Sequence, residues 1–486
     1  MVALRKIGTD SATYRGNNVK ILITGGTVVT AADMYEADVL VHDEKVVTIG
    51  RNLEAADARV INAAGKFVIP GGVDVHTHME NPANGTVTSD DFETGTIAGA
   101  FGGTTTIVDF AVQDIGQTLT KARDSRLAKA TKSVVDYGLH MILRDVSADV
   151  LNEMDTIVAD GISSFKLYMA YPGEFMVDDG AIFQALRRTA INGGLICMHA
   201  ENGSAVDILV KNALLERKTE PKWHATTRPP EVEAEATSRA FRLAEMAGGV
   251  PVYIVHLSSA HALEQVRLFR DRGLPAYAET CPHYLFLSID DLDRPGFEGA
   301  KYVMSPPLRE KWHQDELWKG LARNDLQVIS TDHCPYCMKA GFKGLPEQKQ
   351  LGIRDFSKIP NGIPGIETRM ALTYDGGVLA NRITLNRWVE LTATTPAKIM
   401  GMFPRKGTIA PGSDADIVVW DPKAKQIISA DTHHMRVDYS PYEGRKVTGK
   451  ASVVLSRGEV IIANDQFLGK RARGRFIKRG SPILQT

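Results

Sequence analysis

Cysteine is scarce in this sequence. Four thiols, Cys197, Cys281, Cys334 and Cys337, are spread over 486 residues. That is too few for the disulfide frameworks that staple secreted folds, and it points to a reducing cytoplasm. No apolar run is long enough to span a bilayer, so no membrane partner is expected. Met1 to Asn18 is polar and lacks the apolar centre of a signal peptide. An excess of charge is missing as well. Lys and Arg number 57 against 58 Asp and Glu, so no global field is available to hold nucleic acid. One basic run, Lys470 to Lys478, reads as a solvated C-terminal arm. No internal repeat recurs at a fixed short period. Hydrophobic residues make up 43%, enough for a sizeable core, and the length suits one large barrel with a satellite.

Lys20 to Asn62 reads as short strands, rich in β-branched residues and broken by Gly and Asp. The far end has the same texture, from Gly407-Thr408-Ile409 through Asp416 to Trp420, Ser452 to Leu455 and Val460 to Ile462. The two ends are expected to pair into one β-sandwich domain, residues 19–65 with 405–467. The middle, residues 66–404, alternates strand and helix signals, and residues 468–486 form the arm. Eight strand candidates are Ile69 to His78, Thr104 to Phe110, Tyr137 to Leu143, Ile162 to Met169, Gly194 to His199, Val252 to Leu257, Ala276 to Cys281 and Leu326 to Asp332. Helical segments lie between them, such as Asp91 to Phe101, Asp178 to Ile191, Pro230 to Met246 and Ala260 to Arg272. The expected fold is α/β: a (β/α)8 TIM-like barrel with a smaller β-sandwich domain built from the two terminal segments.

The first barrel strand ends in His76-Thr77-His78. Side chains alternate along a strand, so the two imidazoles point the same way and can share a metal such as zinc. Alone, the pair could equally be two polar residues on a wet face. In such barrels, however, functional side chains come from the C-terminal ends of several strands. Strand four carries Lys166, strand five ends in His199, strand six in His256 and strand eight in Asp332. Four histidines and one aspartate are a thin supply for two metal sites. An ammonium cannot ligate, but a deprotonated lysine can take up carbon dioxide as a carbamate whose two oxygens bridge two ions. The alternatives for Lys166 are a buried ion-pair partner or a Schiff-base lysine.

His76, His78, Lys166, His199, His256 and Asp332, in that order, resemble the ligands of the binuclear amidohydrolase superfamily. The stretches Gly161 to Lys166, His199-Ala200-Glu201-Asn202, Met304 to Arg309, Thr331 to Pro335, Asp355 to Gly362 and Pro404 to Gly407 are similar to its D-hydantoinase/dihydropyrimidinase family. The likeness runs from Val19 to Phe467. It implies a hydrolase that opens the cyclic amide of dihydropyrimidines or 5-substituted hydantoins to N-carbamoyl amino acids, as in pyrimidine degradation. It implies two divalent metal ions, zinc with manganese or cobalt as alternatives. His76, His78, Lys166 and Asp332 would hold one, and Lys166, His199 and His256 the other. Carboxylated Lys166 and a hydroxide would bridge them. Asp332 would act as general base and then acid, and Tyr171 would donate to the developing oxyanion. Ser305 and Asn361 would bind the ring amide, largely through backbone groups. Without the resemblance, Tyr171 is a rim aromatic, and Ser305 and Asn361 are turn residues beside Pro306 and Gly362. A homotetramer is implied by the same analogy.

Several residues stay outside the site on this reading. His333 faces away from Asp332. His283 lies beyond a strand end, His140 is a satisfied core histidine, and His433-His434 is surface. Cys334 and Cys337 have C-x-x-C spacing but too few neighbours for a structural zinc. A redox pair is the alternative. Glu201 and Asn202 are placed to orient His199. Glu80, two residues after His78, would repel an anionic substrate and disfavours dihydroorotase. The loops Asn81 to Thr86 and Tyr168 to Phe175 are expected to wall the pocket, with Tyr168 and Phe175 against a ring substituent. The remaining alternatives are an allantoinase-like enzyme and, in a different class, a non-catalytic dihydropyrimidinase-related interaction protein.

Overall fold

The computed structural model describes residues 20–83 and 85–484. Met1 to Val19, Asn84, Gln485 and Thr486 lie outside the described residues. They include the expected start of the first β segment, part of the Asn81 to Thr86 loop and the end of the arm.

Five strands come first: β1 (Lys20–Val29), β2 (Met34–His42), β3 (Lys45–Gly50), β4 (Arg59–Asn62) and β5 (Phe67–Pro70). The barrel begins with β6 (Gly72–Thr77), followed by a two-residue hairpin of β7 (Pro82–Ala83) and β8 (Thr86–Val87). The other barrel strands are β9 (Thr104–Val112), β10 (Asp136–Ile142), β11 (Ser164–Tyr168), β12 (Leu195–His199), β13 (Val252–Ile254), β14 (Ala276–Thr280) and β15 (Val328–Ile329). Last come β16 (Ile417–Ile427), β17 (Lys446–Ser456), β18 (Glu459–Ala463) and β19 (Gln466–Phe467).

The eight barrel strands pair in parallel in sequence order. The ring is closed between the first and last by a Thr77–His333 bridge and by the Thr331 hydroxyl, which donates to Asp74 Oδ2 at 2.6 Å. Helices follow the strands and begin at residues that can cap them. Asp91 Oδ1 accepts from the N–H groups of Glu93 and Thr94 at 2.9 and 2.8 Å, so the helix starts at Phe92. Asp178 and Ser259 cap two others.

The expected first barrel strand, Ile69 to His78, is two strands. Phe67–Pro70 pairs with β1 and β16 in the terminal sheet, and only Gly72–Thr77 enters the barrel. The break falls at Gly71, where a Cβ would stand 2.1 Å from the Thr105 hydroxyl. An apolar run cannot reveal that its halves serve different sheets, because both are buried. β5 is therefore where the two chain ends meet: β1 lies on one side of it and β16 on the other. Ile21, Val39, Val41, Ile417, Val419 and Leu455 share one apolar cluster of this nine-stranded sheet. Complete burial of each such side chain contributes roughly 1.5–3 kcal/mol.

The arm is only partly solvated: Lys470, Arg471, Arg475 and Lys478 are exposed, while its backbone docks on the barrel. Arg475, Ile477 and Arg479 lay their backbone along the N-terminal ends of β10 and β11, bonding Tyr137 and Gly161. Arg479 is buried and donates to the Leu139 carbonyl and, at 2.8 Å, to the Ser164 hydroxyl. Within the basic run Arg473 and Arg475 pair with Glu459 and Glu44 of the terminal β domain, and Arg479 just beyond it is buried against the barrel.

Candidate active site

At the opposite, C-terminal end of the barrel, the six anticipated ligand residues converge. All are at most 8% exposed. Asp332 Oδ1 lies 3.2 Å from both His76 Nε2 and His78 Nε2. Ligand atoms of His76, His78 and Asp332 fall within 4.8 Å of one another. Lys166 Nζ stands 3.1 Å from His76 Nε2. His199 Nδ1 faces His256 Nε2 at 3.0 Å. Ligand atoms about 2.0–2.1 Å from a tetrahedral ion stand about 3.3 Å apart, close to these separations, so the donor set fits metal ions.

Burial, and then the Lys166 charge, hold the His76 imidazole well below its ordinary pKa. Burial and the neighbouring His199 do the same to His256. Both are neutral, the form that ligates. Burial opposes ionisation of Asp332, but His76 and His78 outweigh it and keep the carboxyl well below its usual range. Burial lowers Lys166 against the pull of Asp332 and Glu279. Lys166 makes no ion pair among the described residues; its ammonium sits 4.5 and 4.9 Å from the Phe110 and Tyr168 ring centroids.

Two of these residues and one rim residue owe their positions to unusual chain geometry. His256 and Asp332 have φ of 41° and 47°, and Tyr171 has 64°. Left-handed backbone at non-glycine residues is strained and clusters at functional sites. It turns the strand-end side chains inward. The cavity above them is lined by Asn81, Tyr168, Tyr171, Phe175, Ser305 and Asn361, among others. Tyr171, Ser305 and Asn361 line it together, and the Ser305 hydroxyl lies 3.2 Å from His224 Nε2.

The family model described as the amidohydrolase family matches residues 67–461. D-hydantoinase of Streptomyces coelicolor is 53% identical over 468 residues, covering 95% of this chain and 98% of that protein. D-hydantoinase of Geobacillus stearothermophilus is 51% identical, over 94% and 96%. Among solved structures, dihydropyrimidinase from Brevibacillus agri superposes with a TM-score of 0.93 at 50% identity, over 96% of this chain and 99% of that one. The chain belongs to the amidohydrolase family, in its D-hydantoinase/dihydropyrimidinase branch. It is a cyclic amidohydrolase, and neither the allantoinase-like nor the non-catalytic reading is favoured.

In this amidohydrolase the outer residues divide. Glu201 Oε2 holds His199 Nε2 at 2.7 Å. Asn202 does not orient His199; it caps the following helix and donates to Glu235. Glu80 is not in the cavity wall. Its carboxylate ion-pairs with Lys132 at 2.8 Å, so it exerts no direct repulsion on a substrate. His333 faces away, bonding Asp90 at 3.1 Å, and His140 bonds Ser164 and the Val75 carbonyl. His434 is exposed and stacks on Phe101, while His433 is half-buried. All four cysteines are free. Cys334 lines the cavity and faces the Tyr336 hydroxyl, whereas Cys337 faces the Arg436 carbonyl.

One residue of the site escaped the sequence reading. Glu279, fully buried on β14, accepts at Oε1 from the His256 backbone N–H at 3.2 Å and contacts His76 Nδ1 through the same oxygen. Its Oε2 accepts from the Tyr253 hydroxyl at 2.8 Å. Its signal was a lone carboxylate inside the apolar strand Ala276-Tyr277-Ala278-Glu279.

Proposed function

We propose that this enzyme hydrolyses the ring amide of dihydropyrimidines and 5-substituted hydantoins, giving N-carbamoyl amino acids. The observation that carries the reading is the stacking of two layers in one cavity. A six-residue donor cluster forms the floor, and Tyr171, Ser305 and Asn361 stand together in the wall above it.

Two divalent ions, zinc with manganese or cobalt as alternatives, suit the floor. His76, His78, Lys166 and Asp332 would hold one, and Lys166, His199 and His256 the other. When bound, such ions polarise a carbonyl and lower the pKa of water from about 15.7 towards 7. Lys166 takes part as a carbamate, formed when its neutral amine adds to carbon dioxide and loses a proton. Its burial and lack of an ion pair favour that amine. Glu279 and Glu201 orient His76 and His199 from behind.

Ser305 and Asn361 hold the ring amide against the floor. Burial, and then the Glu201 charge, push the Tyr171 phenol above its ordinary pKa, so it keeps its proton and donates to the oxyanion as the carbonyl becomes tetrahedral. Asp332, a carboxylate, accepts the proton of the attacking water and delivers it to the ring nitrogen as the C–N bond breaks. Tyr168 and Phe175 meet the substituent at ring position 5. A cytoplasmic homotetramer completes the proposal, supported by family likeness and the scarcity of cysteine.

The test is turnover of four substrates by metal-replete protein: dihydrouracil, a racemic 5-substituted hydantoin, allantoin and dihydroorotate. Ring opening of the first two, with one N-carbamoyl enantiomer from the hydantoin, is expected. Turnover of allantoin or dihydroorotate alone would refute the assignment of the wall.

A further inference from the structure

Lys349 is a buried amine that the chemistry described so far does not use, and burial lowers its pKa to about 7. It begins a short 3-10 turn, Lys349–Gly352, in the long segment after the last barrel strand, and none of its surface is exposed. A buried ammonium is costly unless it is paired, yet Lys349 forms no ion pair among the described residues. Its Nζ donates instead to two backbone carbonyls, Val303 at 2.9 Å and Pro360 at 2.7 Å.

Those carbonyls sit at informative places. Val303 is two residues before Ser305, and Pro360 immediately precedes Asn361. The same two segments are joined by one backbone bond, from the Gly362 N–H to the Val303 carbonyl at 3.0 Å. Lys349 therefore bonds both segments from beneath at once. Its own backbone is fixed from the other side. Lys349 N–H donates to the Cys337 carbonyl at 3.2 Å, and the neighbouring Gln348 side chain bonds the Cys337 N–H and the Val87 carbonyl. His224 adds a fourth tie, donating to the Met304 carbonyl at 2.9 Å and lying 3.2 Å from the Ser305 hydroxyl.

We propose that Lys349 is a positioning residue for the substrate: its Nζ clasps the 303–305 and 360–362 segments so that Ser305 and Asn361 face the ring amide at a fixed separation. The inference rests on the reading of Ser305 and Asn361 as the ring-amide contacts. A clasp of this kind acts on binding in the ground state and the transition state alike. Its loss appears mainly in KM rather than kcat. The metal ligands stand on other segments, so metal content is independent of it.

The experiment uses full-length, metal-replete Lys349→Met, which keeps the apolar volume, and Lys349→Gln, which keeps an N–H donor. Dihydrouracil kinetics, metal content and hydrogen exchange by mass spectrometry are measured for both and for wild type. For Lys349→Met, KM is expected to rise about tenfold or more, with kcat within about threefold. Metal content should stay at the wild-type value. Exchange should quicken in peptides covering 302–306 and 359–363 but not in the barrel strands. Lys349→Gln should recover part of the KM. Unchanged KM and unchanged local exchange in a folded Lys349→Met would overturn the proposal, and so would exchange quickened evenly through the barrel. Failure of both variants to fold would overturn it too, leaving Lys349 with a role in global stability. Wild type inactive on dihydrouracil would instead refute the functional reading, and the local exchange result would still judge the clasp.

Discussion

Glu279→Gln separates the electrostatic part of ligand orientation from its shape. The wild-type carboxylate serves His76 and the His256 N–H through one oxygen and the Tyr253 hydroxyl through the other. The amide can keep its carbonyl on the first pair and turn its NH2 towards Tyr253, whose hydroxyl oxygen can accept. The fold should therefore survive. Glu279→Ala would strand three buried donors at about 1–3 kcal/mol each, a large share of the ~5–15 kcal/mol that holds a domain together. What the amide loses is the negative charge behind His76. Loss of such a group lowers metal affinity by about 10–100-fold, or roughly 1.4–2.7 kcal/mol. The assay is metal affinity by competition with a chromophoric chelator, alongside thermal unfolding of the metal-free proteins. A second signature follows from pH. Burial pushes the Glu279 carboxyl up to about 7 in the folded protein, above the ordinary 4.5. A raised folded value means the folded state keeps a proton that the unfolded chain has released. Metal-free wild type therefore loses stability relative to Glu279→Gln as pH rises from 4.5 towards 7. Metal affinity within threefold of wild type would refute the orienting role.

Asp332→Asn should bind substrate yet lower kcat by about 10²–10⁴, the usual worth of a positioned proton carrier; a loss below tenfold in steady-state assays would assign the transfer elsewhere. Lys166→Ala should be folded and inactive, with partial recovery on adding short carboxylic acids; full activity without added acid would rule out the carbamate. His283 is buried, and its pKa is lowered from 6.5 to about 4 by that burial, against the pull of Asp332. The unfolded chain takes up this proton first, so wild type loses up to about 3 kcal/mol from this group as pH falls from 6.5 to 4. His283→Phe should move the acid-unfolding midpoint to lower pH, and an unchanged midpoint in a circular-dichroism titration would refute the assignment.

The barrel was legible because its strands are apolar runs separated by helices with recognisable caps, such as Asp91 and Asp178. The ligands were legible because each polar residue lies within or just after an apolar strand run. What escaped depends on three-dimensional neighbours. Glu279 sits near the end of β14 as a lone carboxylate, and only the fold puts it behind His76. Glu80 follows the His-x-His motif closely, but its left-handed backbone, with φ of 46°, accompanies a carboxylate that meets Lys132 instead of the cavity. The docking of the arm's backbone was not legible, because its exposed arginines and lysines read as solvated and Phe476 and Ile477 are too few to reveal a docking face. Likewise Ile69 to His78 gave no hint of its division at Gly71, since both halves are buried.

The docked arm has a practical consequence. It crosses the strand starts near Tyr137 and Gly161, while His76, His199 and Asp332 look out from the other end of the barrel. A surface tether attached through the C-terminal end would anchor the molecule by its base. The mouth of the cavity would then face the flowing solution, and immobilisation by that route should retain more activity than random coupling through lysines.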